Sequence, residues 1–184
     1  LFVDKEEVGN PGGCGMDSRY MENLISKIAA LTEDTDAMTL RLALEHSKML
    51  SADVGIAYDS SYPEAFEPAN TARLGRGPAL IKYAGHMGKK GCNDASAEYL
   101  ALIRKLFDDA GVYWQTGEYG KIDFGGGGTI APFAAAYGME VVDCGVVLLS
   151  MHAPYELASK ADIYETYRAY RAFLESGLEL EKYM

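Results

Sequence analysis

Short apolar runs alternate along this chain with stretches whose apolar residues recur every three to four positions, and no other feature limits its fold as strongly. Ala79-Leu80-Ile81-Lys82-Tyr83, Val112-Tyr113-Trp114-Gln115, Met139 to Asp143 and Val146 to Leu149 read as strands. Ser51 to Tyr58 is a further strand-like stretch that carries an acid, Asp53. Tyr20, Met21, Leu24, Ile25 and Ile28 stripe a helix from Asp17 to about Leu31. Thr35 or Asp36 caps the next helix, which runs through Leu40, Leu44 and Met49. Asn93 or Asp94 opens a helix that buries Tyr99, Leu102, Ile103 and Leu106 and ends at Gly111. Ser159 with Asp162 forms a capping box for a closing helix striped by Ile163, Tyr167, Tyr170, Phe173 and Leu174. Leu1-Phe2-Val3 looks like a buried strand with no lead-in, so an upstream part is expected to be missing. Strands interleaved with helices predict an α/β layered fold.

Charge narrows the function classes. The 184 residues suffice for one domain or a large part of one, and the net charge is −10. Binding to a phosphate backbone rests on clustered Lys and Arg, so this balance argues against a nucleic-acid partner and against a basic membrane-surface protein. No apolar run approaches the roughly 20 residues that span a bilayer, and no basic-then-apolar leader opens the sequence. Cys14, Cys92 and Cys144 stand far apart, which fits reduced thiols in a cytoplasmic protein.

Three acids and one histidine interrupt this apolar pattern. Glu6 and Glu7 are adjacent carboxylates that repel each other unless they lie on a solvated turn or share a cation. Asp53 stands within an apolar stretch and needs a metal, an arginine or an exposed edge position. His152 ends the run Gly145 to Met151, at the strand end where ligands gather in α/β sheets, although a lone histidine is also an ordinary polar residue. Together, acids and a histidine at strand ends have the composition of a zinc peptidase site, with Glu6 as the spare acid able to act as general base. Gly125 to Gly128 followed by Thr129 offers bare backbone to a close-lying substrate. A phosphate cradle is the weaker reading, because the lysine of a P-loop and the dinucleotide spacing are both missing. His46 and His86 have no acid or cysteine at ligand spacing and read as surface residues, and Gly85 to Gly91 reads as a mobile loop.

Asp4-Lys5-Glu6-Glu7-Val8-Gly9, Ser51-Ala52-Asp53, Gly77-Pro78 with Ile81-Lys82, Gly128-Thr129-Ile130 and Leu149-Ser150-Met151-His152 occur in this order. The series resembles the aspartyl aminopeptidase and aminopeptidase I family of dinuclear zinc exopeptidases over almost the whole chain. The resemblance implies a three-layer α/β zinc-peptidase-like domain, with a central mixed sheet flanked by helices and its N-terminal part missing. Residues 1–184 would then be the C-terminal portion of a metallopeptidase catalytic domain, without the family's inserted dimerisation domain. It further implies that Glu6 is the general base, that Glu7 and His152 ligate one zinc, and that Asp53 ligates the other. Cobalt or manganese would be substitutes for zinc. Lys82 would pair with an acidic substrate side chain, and Gly128 and Thr129 would line the cleft. The implied partners are peptide substrates, further copies in a homo-oligomer, and the missing N-terminal half or a complementary chain.

The departures from that pattern matter as much. The family's upstream histidine and the aspartate that bridges both zincs belong before residue 1, so about half of the two-metal site is expected here. Ile56 stands where aspartyl-specific members have a histidine, and Tyr58 to Tyr62 lacks their His-Pro. Strict acidic specificity is therefore not implied, and a bacterial-type branch is. The reading reached is a cytoplasmic metalloaminopeptidase. The alternative is a catalytically incomplete relative that serves as an assembly or peptide-binding module.

Overall fold

The structure, a computed structural model, describes residues 1–32, 36–87, 90–121 and 123–177. Leu1 and Phe2 are exposed and form no strand, because the segment joins no ladder. Helix α1 (Tyr20–Ala29) turns Met21 inward, and α2 (Ala37–Glu45) is capped by Asp36, whose carboxylate accepts from the Thr39 amide at 2.7 Å. Thr35, the other expected cap, lies outside the described residues. Met49, expected on this helix, instead belongs to strand β1 (Lys48–Ser51), which pairs along its length with a later strand.

The stretch from Ser51 to Tyr58 is not one strand. It breaks after β1 and resumes as β2 (Gly55–Ile56), with Asp53 in the gap. Strands β3 (Ala79–Ile81) and β4 (Tyr83–His86) are likewise separated at Lys82. Strand β4 pairs with β5 (Lys90–Asp94), so the stretch from Gly85 to Gly91, expected to be a loop, begins and ends as the two strands of a hairpin, and residues 88–89 lie outside the described residues. Asn93 and Asp94 therefore end a strand, and the cap of α3 (Ala97–Asp109) is Ser96, which accepts from the Tyr99 amide. Gly111, just past that helix, is left-handed (φ 63°), as a C-terminal stop requires. The remaining elements are β6 (Gln115–Thr116), α4 (Ala131–Ala135), β7 (Glu140–Gly145), β8 (Val147–Leu149), β9 (Leu157–Ala158) and α5 (Lys160–Ser176).

The main sheet runs β1-β7-β3-β6, with β1 parallel to β7, β7 antiparallel to β3, and β3 parallel to β6. Side chains alternate across β7 as a strand demands. Val142 and Cys144 pack with Leu80 against α3 and α5, through Ile103, Phe107 and Ala169. Val141 faces the opposite way, onto Met16, Met21, Ala131 and Ala134. The mixed sheet is thus flanked by helices. A smaller sheet, β2-β8-β9, extends from the point where the chain leaves β7. No helix among the described residues is long and apolar enough to cross a membrane.

Helix α5 departs from its expected stripe. Ile163, Tyr167 and Leu174 are exposed, while Asp162, Thr166 and Ala169 are buried. Asp162 explains the rotation. Ser159 accepts from the Asp162 amide, but the Asp162 carboxylate accepts from the Gly75 and Gly77 amides at 2.7 and 2.8 Å instead of closing the capping box. A buried carboxylate needs such donors, and they fix which side of the helix faces inward.

Candidate metal centre

The two adjacent glutamates lie on a tight turn. Glu6–Val8 is a single 3-10 turn bracketed by left-handed Lys5 (φ 65°) and Gly9 (φ 86°), with the Gly9 amide bonded to the Glu6 carbonyl at 2.9 Å. At the far end of β8 the chain turns through left-handed Ser150 and His152, unusual for residues that carry a side chain. The His152 amide donates to the Glu156 carboxylate at 2.6 Å, which holds that turn. His152 Nε2 then lies 3.1 Å from Glu7 Oε2. Both side chains are mostly exposed, so as a bare ion pair this contact adds little stability.

Asp53 arrives from a third direction, in the gap between β1 and β2. Its carboxylate accepts from the Val54 amide at 2.7 Å, and the Tyr119 hydroxyl donates to the Val54 carbonyl at 3.0 Å. The Asp53 carbonyl lies directly over Gly145, where a Cβ would come within 1.6 Å of it. Glu6, Glu7, Asp53, His152, Gly128 and Thr129 line one cavity of about 700 Å³, with Tyr119 and Asn10 also in its wall. Lys82 does not line it; it sits in the break between β3 and β4, its ammonium paired with Asp94 at the end of β5. His46 is exposed at the end of α2, as expected.

Acidic crowding shapes the electrostatics. Burial raises the Glu6 pKa above its ordinary value, Asp53 and Glu7 raise it further, and His152 opposes them. Burial likewise raises Asp53, opposed by the Val54 amide, with Glu7 adding to the rise. Beneath them Asp143, on the central strand, is fully buried and pushed up to about 6, chiefly by desolvation. The hydroxyls of Ser51 and Thr129 oppose that shift without closing a hydrogen bond to either carboxyl oxygen.

One histidine among three carboxylates is an oxygen and nitrogen donor set suited to zinc, and a cation relieves the repulsion that adds to the burial-driven rise at Glu6 and Asp53. The chain's donors fit such an ion chemically. Among the described residues, no three of them converge tightly enough to hold it alone.

Comparison with known proteins places the chain in a family. The family described as aminopeptidase I zinc metalloprotease (M18) matches residues 1–174. The chain belongs to this family. A relative from Clostridium acetobutylicum, named "Probable M18 family aminopeptidase 1", is 53% identical over 176 residues, covering 96% of this chain and 38% of the relative. The crystal structure of an M18 aminopeptidase from Thermotoga maritima superposes with a TM-score of 0.90 at 42% identity, over 94% of this chain and 39% of that one. A dodecamer of mApe1 from S. cerevisiae shares the fold at 22% identity and a TM-score of 0.78, over 97% of this chain and 38% of that one. The M18 chain described here thus spans about two fifths of the length of the relatives it matches.

Asn10, Tyr119, Asp143 and Gly145 escaped the sequence reading. Asp143 left a signal, an acid inside the most apolar strand, whereas the others act through contacts that only the fold creates.

Proposed function

We propose that this chain is the C-terminal portion of a metalloaminopeptidase catalytic domain, without the inserted dimerisation domain, and that it supplies the general base and part of the metal shell. The observation that carries this reading is the meeting of Glu6, Glu7, Asp53 and His152 on one cavity, from three separate parts of the sequence. Glu7 and His152 would hold one zinc ion and Asp53 a second, with cobalt or manganese as substitutes. When bound, zinc supplies Lewis acidity to a peptide carbonyl and lowers the pKa of water. Glu6 accepts a proton at its carboxylate and returns it to the departing amine, a task that its raised pKa suits. Gly126 to Gly128 present side-chain-free backbone along the cleft, so an extended peptide can lie close to Thr129.

Neutral N-terminal residues are the favoured substrates. The pairing of Lys82 with Asp94 supports this, because that lysine offers no unpaired charge to an acidic side chain. Homo-oligomerisation is part of the proposal, supported by the dodecameric relative and by the exposed apolar residues of α5. The free thiols of Cys14 and Cys144 support a cytoplasmic setting.

Zinc titration of the whole polypeptide containing residues 1–184, with His152→Ala and Glu7→Gln, tests the metal shell. Each substitution is expected to weaken binding at least tenfold, and wild-type affinity in both would overturn the reading. In the whole polypeptide containing residues 1–184, Glu6→Gln is expected to keep its zinc and lose at least 100-fold in hydrolysis of leucine p-nitroanilide. Binding of peptides without any hydrolysis, at full zinc occupancy, would favour a peptide-binding module instead.

A further inference from the structure

Asp143 is a carboxyl group at the centre of the sheet with no exposure and no hydrogen-bond partner on either oxygen. Its strand neighbours Val142 and Cys144 are core residues, so packing alone would be served as well by an apolar side chain. Burying an acid at such a position costs several kcal/mol unless something answers it. What surrounds it is specific. In the register of the sheet Asp143 stands opposite Ser51, the last residue of β1, directly before the gap that carries Asp53. The Ser51 hydroxyl is itself buried and unpartnered. A second neighbour is Thr129, buried at the end of the glycine run and part of the cavity wall. Both hydroxyls lie near enough to oppose the rise in its pKa, although no hydrogen bond to either carboxyl oxygen is closed.

We infer that Asp143 is a positioning residue: from beneath the cavity it ties the Ser51 end of β1 to Thr129, and so fixes the distance between the Asp53 loop and the glycine wall. A carboxyl group can do this where a hydrocarbon cannot, since it accepts from, or when protonated donates to, both hydroxyls. Asp143 touches neither substrate nor metal in this scheme and acts through the two segments it joins. The inference rests on the proposed metal shell for its functional meaning, but its structural half can be read without any metal.

The test uses the whole polypeptide containing residues 1–184 with Asp143→Asn, which keeps the polar reach, and Asp143→Leu, which keeps the branched outline without the oxygens. Amide hydrogen exchange of the metal-free protein is the first readout. Asp143→Leu is expected to accelerate exchange at least tenfold in both 51–55 and 126–131, while α3 stays protected and Asp143→Asn stays near wild type. Cobalt(II) titration is the second, with Asp143→Leu expected to bind 10- to 100-fold more weakly and to show an altered visible spectrum. Adding Ser51→Ala to Asp143→Leu is expected to cause less further loss than it does in the wild type, because both break one link.

Unchanged exchange in both segments with wild-type cobalt binding would overturn the inference and leave the metal shell standing. Faster exchange spread evenly over the core would also overturn it, as the mark of a purely structural role. Absence of cobalt binding by the wild type, with exchange responding as expected, would sink the metal shell and keep Asp143 as the tie between the two segments.

Discussion

Gly145→Ala is the sharpest single probe of how the sheet places Asp53. The added Cβ would come within 1.6 Å of the Asp53 carbonyl oxygen and 2.7 Å of its carbon. Carbon and oxygen settle at about 3.3–3.6 Å even in close C–H···O contacts, so the shortfall is roughly 1.7 Å. Gly145 has no left-handed backbone to lose, which leaves the clash as the whole perturbation. Strand β7 is held by both its neighbours, so the loop must give way. That motion pulls the Val54 carbonyl from the Tyr119 hydroxyl and loosens the bond from the Gly55 amide to the Val146 carbonyl. Overpacking costs about 1–3 kcal/mol and a lost hydrogen bond about 1 kcal/mol, so a loss of about 2–4 kcal/mol is expected in urea denaturation. Zinc titration should show affinity reduced about 10- to 100-fold, the usual scale for disturbing the support of a ligand. A variant that unfolds at the wild-type midpoint and binds zinc normally would refute the argument that Gly145 sets the position of Asp53.

Asp162→Ala should cost about 3 kcal/mol, because it strands the Gly75 and Gly77 amides, and urea denaturation with unchanged zinc affinity checks it. Asp143 contributes a pH slope of defined sign. Its folded pKa of about 6 exceeds the ordinary 3.8, so its share of stability is complete below pH 3.8 and is lost as pH rises through 6. That share is about 3 kcal/mol, and the fall in wild-type stability between pH 3 and 8 should exceed that of Asp143→Asn by this amount in urea denaturation. In the whole enzyme, the acid limb of kcat/KM should lie above pH 4.5, since burial and neighbouring acids raise Glu6, and a limb at or below that value would contradict its role as base.

The sequence was legible where function crowds residue types together or where periodicity runs long. Glu6-Glu7, Asp53 and His152 announced themselves as charges or a histidine against apolar runs, and the fold brings them to one cavity. The core face of α3 followed directly from Tyr99, Leu102, Ile103 and Leu106. Legibility failed where a distant partner decides. Met49 carries on a helical stripe, yet pairing with β7 makes it a strand residue. Asn93 looks like a cap, but hairpin pairing takes it. The face of α5 was misjudged because nothing near Asp162 reveals that its carboxylate serves the Gly75 to Gly77 backbone. Lys82 sits where the resemblance puts it in sequence, but its ammonium is paired with Asp94 and it does not line the cavity.

Those two bonds from Asp162 also set a schedule for folding. They join residues 87 and 85 positions apart, so the Gly75 to Gly77 turn cannot gain them until α5 has left the ribosome. Because Gly77 leads straight into β3, the middle of the sheet awaits α5. Contacts of such separation make for slow folding, with the closing helix as the final latch. A ribosome-bound chain that ends before residue 160 should therefore stay open to protease at the 75–77 turn, and lengthening it through α5 should close that window.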